Sequence, residues 1–478
     1  MASSQDKKEE LHVLLVAFSA QGHINPLLRL GKTLLTKGLH VTLATTQIVY
    51  HRVFKPTTAD DATVPASITT NGIQVIFFSD GFGTGKDRKV LNVDHFMDII
   101  GKVGPNNLSN LIKEHFINNS KKLACIINNP FIPWVADVAA NFNIPCACLW
   151  IQPCALYAIY YRFYNNLNQF PTQQNPQMTV HLPGLPPLQP QDLPSFLLPS
   201  NTHQSMPKVL KEVFQHANKI KWFLANSFHH LEKEAIASMD EVCPITTVGP
   251  LVPPSLVGQE ETEDVGLEMW RAGESCMEWL NQQAPSSVIY VSFGSLLEFS
   301  SKELESIAKA LKNSSKPFLW VNKGVDREQE EQVVQLLKGL VEKRKERGMV
   351  VSWCPQTKVL SHPAIACFLT HCGWNSILEA ITTGTPMVAW PKWTDQPTNA
   401  KLISDVFRLG VRLAPDAEGF VAAEEVERAF QRIFAAAEFR SNASELKRAA
   451  REAVSPGGSS DRNIQSFVDE IIGGRFGE

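Results

Sequence analysis

The feature that most constrains this chain is one pattern played twice: short β-branched and aliphatic runs alternate with helix-compatible stretches. In the first half the runs fall at 12–18, 41–45, 73–78, 124–128, 146–150 and 222–226, with stretches such as 25–37 and 131–142 between them. Such alternation predicts βαβ units around a parallel sheet. A Pro-rich patch, Gly249-Pro250-Leu251-Val252-Pro253-Pro254, and an acidic stretch at 259–264 interrupt the pattern, which restarts at 288–293, 318–321, 349–353, 366–370 and 387–390. The expected fold is α/β, with two doubly wound domains facing each other across a cleft. The patch marks the boundary: residues 1–250 form one domain, 251–268 a linker, 269–458 a second domain and 459–478 a terminal segment.

At 478 residues the chain exceeds one ordinary core, and domains of about 150 residues make two the natural reading. Lys plus Arg number 45 against 48 Asp plus Glu, a net charge of -3. No field is present to gather nucleic acid or an anionic membrane. The early apolar run 11–20 is interrupted by His12 and ends at Gln21-Gly22-His23. It is too short to span a bilayer and reads as a buried strand. Nine cysteines, an odd number spread along the chain, fit buried free thiols in a reducing compartment. A cytoplasmic protein is therefore expected, with monomer as the default state.

In doubly wound sheets the ligand lies beyond the carboxyl ends of the strands, which directs attention to three loops. Ser19-Ala20-Gln21-Gly22-His23-Ile24-Asn25-Pro26 leaves the first strand and enters a helix, with Asn25 suited to cap it and Pro26 to its first turn. His23 at a helix start is disfavoured as a cation, which keeps its ring neutral and able to take a proton. A lone histidine is more often a cap or a core residue, so its neighbours must decide. After the run 366–370 comes His371-Cys372-Gly373-Trp374-Asn375-Ser376, followed by a helical stretch containing Glu379. Glycine permits close backbone approach, Asn375 and Ser376 can cap the helix, and its free amides form a phosphate seat. His371 adds a donor to the same anion, and Glu379, one turn along, can accept from vicinal ribose hydroxyls. Ser292-Phe293-Gly294-Ser295 gives another small-residue turn.

These residues carry a family resemblance. Residues 353–396 begin Trp353-Cys354-Pro355-Gln356, pass through His362-Pro363, His371 to Ser376 and Glu379, and end Trp393-Thr394-Asp395-Gln396. This stretch strongly resembles the signature box of plant family 1 UDP-glycosyltransferases, and Gly22-His23-Ile24-Asn25-Pro26 and Gly457-Gly458-Ser459-Ser460 extend the likeness. The resemblance implies the GT-B fold of two Rossmann-like domains, with the acceptor in the N-terminal domain and UDP-sugar in the C-terminal one. The segment 459–478 would return as a helix to the N-terminal domain. By the same resemblance Trp353 stacks on uracil and Gln356 and Glu379 hold the ribose. His371, Asn375, Ser376 and Ser295 match phosphate contacts, while Trp374, Asp395 and Gln396 match those of the sugar. Gln396 looks like the ending of glucose users. UDP-glucose is then a substrate, no cofactor is expected, and the transfer inverts the anomeric centre without a metal. A zinc reading of Cys354, His362, Cys367, His371 and Cys372 fails on spacing, since paired C-x-x-C is absent.

In much of the family an Asp backs the residue matching His23. This sequence departs from that pattern: Ile126-Ile127-Asn128-Asn129-Pro130-Phe131 places Asn129 there. A neutral amide can orient His23 but cannot offset its positive charge. Acceptors that already ionise near neutral pH are therefore favoured. A phenolic acid would yield a glucose ester, and the run from Asn128 to Trp134 resembles the branch that forms such esters. A polyhydroxylated ring attacking through carbon would yield a C-glucoside, and ordinary O-glucosylation of a phenol also stands open. A non-catalytic UDP-sugar binding protein is the alternative outside enzymology, separable by turnover.

Overall fold

The computed structural model describes residues 10–54, 64–82, 93–259, 263–267, 275–294, 297, 299–322 and 347–473. Two sheets organise them. The first contains β1 (Leu11–Val16), β2 (His40–Thr46), β3 (Ser67–Thr70), β4 (Ile73–Phe78), β5 (Lys122–Asn128), β6 (Cys146–Trp150), β7 (Trp222–Ala225) and β8 (Thr246–Thr247), in the order β3-β4-β2-β1-β5-β6-β7-β8. Only β3 runs antiparallel to its neighbour. The second contains β9 (Val288–Ser292), β10 (Phe318–Val321), β11 (Gly348–Val351), β12 (Ile365–Thr370), β13 (Met387–Ala389) and β14 (Gly410–Arg412), ordered β11-β10-β9-β12-β13-β14 and parallel throughout. Helices cover both faces, so a central strand such as β1, Leu-His-Val-Leu-Leu-Val, is apolar on both sides.

In each sheet the chain begins at a central strand, winds to one edge and returns to the other side. The reversals fall between β1 and β5 and between β9 and β12, which is where a crevice opens in this topology. His23 and Asn129 follow β1 and β5, and Gly294 and His371 follow β9 and β12. Register fixes the pairing: Leu15 lies beside Ile127 and Thr370 beside Ser292, so each pair of loops leaves the sheet side by side.

The helix Gln21–Thr36 begins earlier than expected, with Ala20 rather than Asn25 at its cap and Pro26 inside it. The Asn25 side chain is engaged elsewhere: it donates to the Leu267 carbonyl (3.2 Å) and accepts from the Leu267 amide (2.9 Å). A second correction concerns the helix Trp374–Thr383. Gly373 takes the cap position with extended backbone, and neither Asn375 nor Ser376 caps. The short strands β3, β8 and β14 lie outside the apolar runs that the sequence pattern marks. The last helix, Ser459–Gly473, places Ile464, Phe467, Val468 and Ile471 in a core with Leu27, Leu30, Leu34 and Leu149 of the first domain. Ser460 Oγ donates to the Gly249 carbonyl (2.5 Å) and Trp222 Nε1 to Glu470 (2.7 Å).

Candidate active site

His23 occupies the first turn of its helix, half-buried, with Phe18 (5.0 Å between ring centroids) and Phe131 (4.8 Å) against the ring. Its Nδ1 lies 2.9 Å from Asn129 Oδ1. The same oxygen accepts from the Phe131 backbone N–H (3.2 Å), which identifies it as oxygen and not the amide nitrogen. His23 Nδ1 must then carry the hydrogen, leaving Nε2 as a lone-pair acceptor. Burial lowers the imidazole pKa from 6.5 to about 4, while the Asn129 hydrogen bond raises it and only partly compensates. Desolvation is therefore the main cause of the neutral ring, where the sequence pointed to the helix dipole. Asn129 itself is fully buried, and its Nδ2 has no hydrogen-bond partner among the described residues.

Facing it, the second domain assembles a polar cluster. Gln356, at the start of the helix Gln356–Ser361, donates through Nε2 to Glu379 Oε2 (2.8 Å) and Ser376 Oγ (2.9 Å), and its Oε1 accepts from Tyr290 OH (3.1 Å). Burial pushes the Glu379 carboxyl up, and the Gln356 amide opposes the shift. Trp353, half-buried, directly precedes Cys354 in the same segment. A carboxylate held by one amide keeps lone pairs for a diol, and a half-exposed indole suits a flat base. Tyr290, on β9, was not anticipated; no local pattern distinguishes it from the core tyrosines.

His371 leaves β12 into a slot walled by two glycines. A Cβ at Gly294 would lie 2.9 Å from the imidazole and one at Gly373 2.6 Å, so any side chain there would displace the ring. Burial lowers its pKa to about 4, and its Nδ1 is buried with no hydrogen-bond partner among the described residues. Beside it begin the backbone amides of Trp374–Thr383, a ten-residue helix. The pair makes a seat in which a neutral imidazole and free amides can meet an anion. Ser295 falls outside the described residues.

Two of the expected contact residues bridge the domains. Asn375 Nδ2 donates to the Gly22 carbonyl (2.8 Å), and buried Trp374 donates through Nε1 to the Asn226 carbonyl (2.8 Å). The Trp374 indole is thus part of the interdomain core, leaving only its backbone to face a ligand. Asp395 is buried and accepts from Thr394 Oγ1 (2.6 Å) and Asn399 Nδ2 (2.7 Å). Burial raises its pKa, partly offset by hydrogen bonds that include one from Gln152 of the first domain. Gln152, whose Oε1 is buried without a hydrogen-bond partner among the described residues, has no local sequence signal that marks it. Gln396 is buried, and its Oε1 accepts from the Lys392 amide (2.9 Å), which turns its side chain back toward the loop that precedes it.

Around His23 an aromatic wall continues. Phe18 meets Phe96 edge-on (5.7 Å), and Phe96 stacks on Phe82 (5.6 Å). Residues 83–92, which follow Phe82 in the chain, lie outside the described set. Among the described residues no group of three or more His, Cys, Asp or Glu could hold a metal ion, and no helix is long and apolar enough to cross a membrane.

Two parallel sheets whose reversal points confront each other, one presenting a neutral histidine and the other an anion seat with a diol acceptor, define the GT-B class of nucleotide-sugar transferase fold. Comparison with known proteins gives the family. The profile of the family described as "UDP-glucoronosyl and UDP-glucosyl transferase" matches residues 267–454. UDP-glycosyltransferase 84B1 of Arabidopsis thaliana is 44% identical over 98% of this chain and 99% of its own length. Gallate 1-beta-glucosyltransferase 84A24 of Punica granatum is 40% identical over 96% of this chain and 89% of its own length. The crystal structure of Os79 from O. sativa in complex with UDP superposes with a TM-score of 0.84 at 32% identity, covering 96% of this chain and 100% of that one. The chain belongs to the plant UDP-glycosyltransferases and is an enzyme of that family.

Proposed function

We propose that this enzyme transfers glucose from UDP-glucose to the carboxylate of a phenolic acid, forming a 1-O-glucose ester with inversion. The observation that carries this reading is the His23–Asn129 pair: a desolvated, neutral imidazole backed by an amide in place of a carboxylate. A carboxylate acceptor is already ionised at neutral pH and needs orientation, not deprotonation. Its oxygen attacks the anomeric carbon as the bond to the UDP oxygen breaks, and the departing charge meets the amides of Trp374–Thr383 and His371. A neutral phenol must instead lose its proton to His23 Nε2, creating an imidazolium that Asn129 Oδ1 can orient but not neutralise. The aromatic wall of Phe18, Phe82, Phe96 and Phe131 suits a flat acceptor ring. The similarity to gallate 1-beta-glucosyltransferases supports the same acceptor class.

In this reading Trp353 stacks on uracil, Gln356 and Glu379 hold the ribose, and His371, Asn375, Ser376 and Ser295 serve the diphosphate. Asp395, Gln396 and the Trp374 backbone serve the glucose. The test is turnover of purified enzyme with UDP-glucose and a panel of phenolic acids, flavonoids, benzophenones and simple alcohols, with hexose addition read by mass. Alkali-labile product is expected. Product stable to alkali but cleaved by acid would mean phenol O-glucosylation, product resisting both would mean carbon attack, and either would overturn the ester reading. Absence of turnover with every phenolic acid would overturn the proposed acceptor class. EDTA is expected to leave the rate unchanged; loss on chelation with recovery on a divalent ion would sink the metal-free mechanism.

A further inference from the structure

The helix Gln21–Thr36 carries Pro26 in its interior, where proline is costly. A residue at position 26 would ordinarily donate its N–H to the carbonyl four residues earlier, that of Gly22. Pro26 has no N–H, and its ring crowds that carbonyl away from the helix axis. The Gly22 carbonyl is the one that Asn375 Nδ2 reaches from the opposite domain at 2.8 Å. A Cβ at Gly22 would lie 3.0 Å from the same Nδ2, so the approach also uses the absence of a side chain there.

The contact belongs to a stripe. Gly22, Asn25 and Arg29 lie on one face of the helix, and all three reach beyond the first domain: to Asn375, to the Leu267 backbone and to Asp264. Asn25 and Arg29 engage the segment that connects the domains. Only Gly22 meets the anion seat itself, one residue from His23 and one residue into the helix that begins at Trp374. Its bond to Asn375 therefore joins the donor-side helix to the residue next to His23.

We propose that Pro26 is a positioning residue for glucosyl transfer: by withholding an N–H it reserves the Gly22 carbonyl for Asn375, and that interdomain bond sets His23 against the donor. The proposal rests on the transferase reading above. It predicts that Pro26→Ala, which restores a competing N–H, lowers kcat by about fivefold, the effect of one hydrogen bond, while the affinity for UDP alone is unchanged. The diagnostic is non-additivity. Wild type, P26A, N375A and the double variant would be compared for kcat at saturating UDP-glucose and acceptor, with UDP affinity by calorimetry and a thermal melt for each.

In the N375A background P26A is expected to have no further effect. Equal losses in both backgrounds, no loss in either, or weaker UDP binding by P26A would each overturn the proposal, because Pro26 would then act through helix shape or the anion seat alone. Should P26A fail to fold, Gly22→Ala keeps the proline and presses a Cβ on Asn375 Nδ2. The same kcat loss, absent with N375A, is expected, and an additive loss would refute. No transfer by the wild type would sink the functional reading and this one together; transfer by the wild type with additive variants would sink this one only.

Discussion

Restoring the missing carboxylate, Asn129→Asp, is the sharpest test of how the acceptor is activated. Burial holds the His23 pKa at about 4 instead of 6.5. A carboxylate in place of the amide oxygen, 2.9 Å from Nδ1, would favour the imidazolium and raise that pKa by about 1 to 3 units. His23 would then titrate between about 5 and 7. The sign is fixed by the chemistry: the base works when neutral, so activity is lost as pH falls through its pKa. For a neutral phenol as acceptor, the acid limb of kcat/KM should therefore move from near 4 in the wild type to between about 5 and 7. A stronger base should also raise the plateau rate with neutral phenols by about tenfold. Carboxylate acceptors should gain nothing, since no proton is removed from them. The assay is kcat/KM against pH for one phenol and one phenolic acid, with both proteins. An acid limb that stays in place, or an equal gain for both acceptors, would refute the assignment of Asn129 as the group that limits His23.

His23→Ala should lower turnover of neutral phenols by about 100-fold or more, the usual range for removing a general base, and that of phenolic acids by about tenfold or less; equal losses would make the histidine structural. Glu379→Gln should raise KM for UDP-glucose by about ten- to a hundredfold, as for a charged hydrogen bond, and leave kcat nearly unchanged, as expected for binding expressed equally in ground and transition states. A kcat loss with constant KM would move Glu379 out of donor binding. Acid stability should report His371, whose folded pKa of about 4 lies below its ordinary 6.5. Its contribution is fully present above pH 6.5 and is lost as pH falls toward 4, when the unfolded chain takes up a proton first. Half-buried Glu379 and buried Asp395, both raised by desolvation, act in the opposite sense. The comparison is therefore between wild type and His371→Gln: the variant should lose less melting temperature between pH 6.5 and 4, and parallel curves would contradict the shift.

Much of this site was readable before the fold. Asn129 follows an apolar run directly and His23 follows one after a short polar turn, and the box from Trp353 to Gln396 concentrates spaced polar residues around strand ends. The misreadings have physical causes. Asn25-Pro26 has the look of a helix entrance, yet Asn25 satisfies the Leu267 backbone, and the carbonyl that Pro26 leaves free finds Asn375. Asn375 and Ser376 resemble caps, but Gly373 already supplies the extended cap conformation. Tyr290 and Gln152 join the site only through contacts across 66 and more than 200 positions of sequence, respectively. β8 and β14, two and three residues long, are too short for alternation to show.

The last helix carries a consequence for synthesis. Its Ile464, Phe467, Val468 and Ile471 belong to the same buried cluster as Leu27, Leu30 and Leu34 of the first domain, so that cluster draws on residues more than 400 positions apart in the sequence. At about 5 to 20 residues per second, translation from the linker to Ile464 takes on the order of 10 to 40 seconds. Throughout that interval the first domain lacks four side chains of its own hydrophobic cluster.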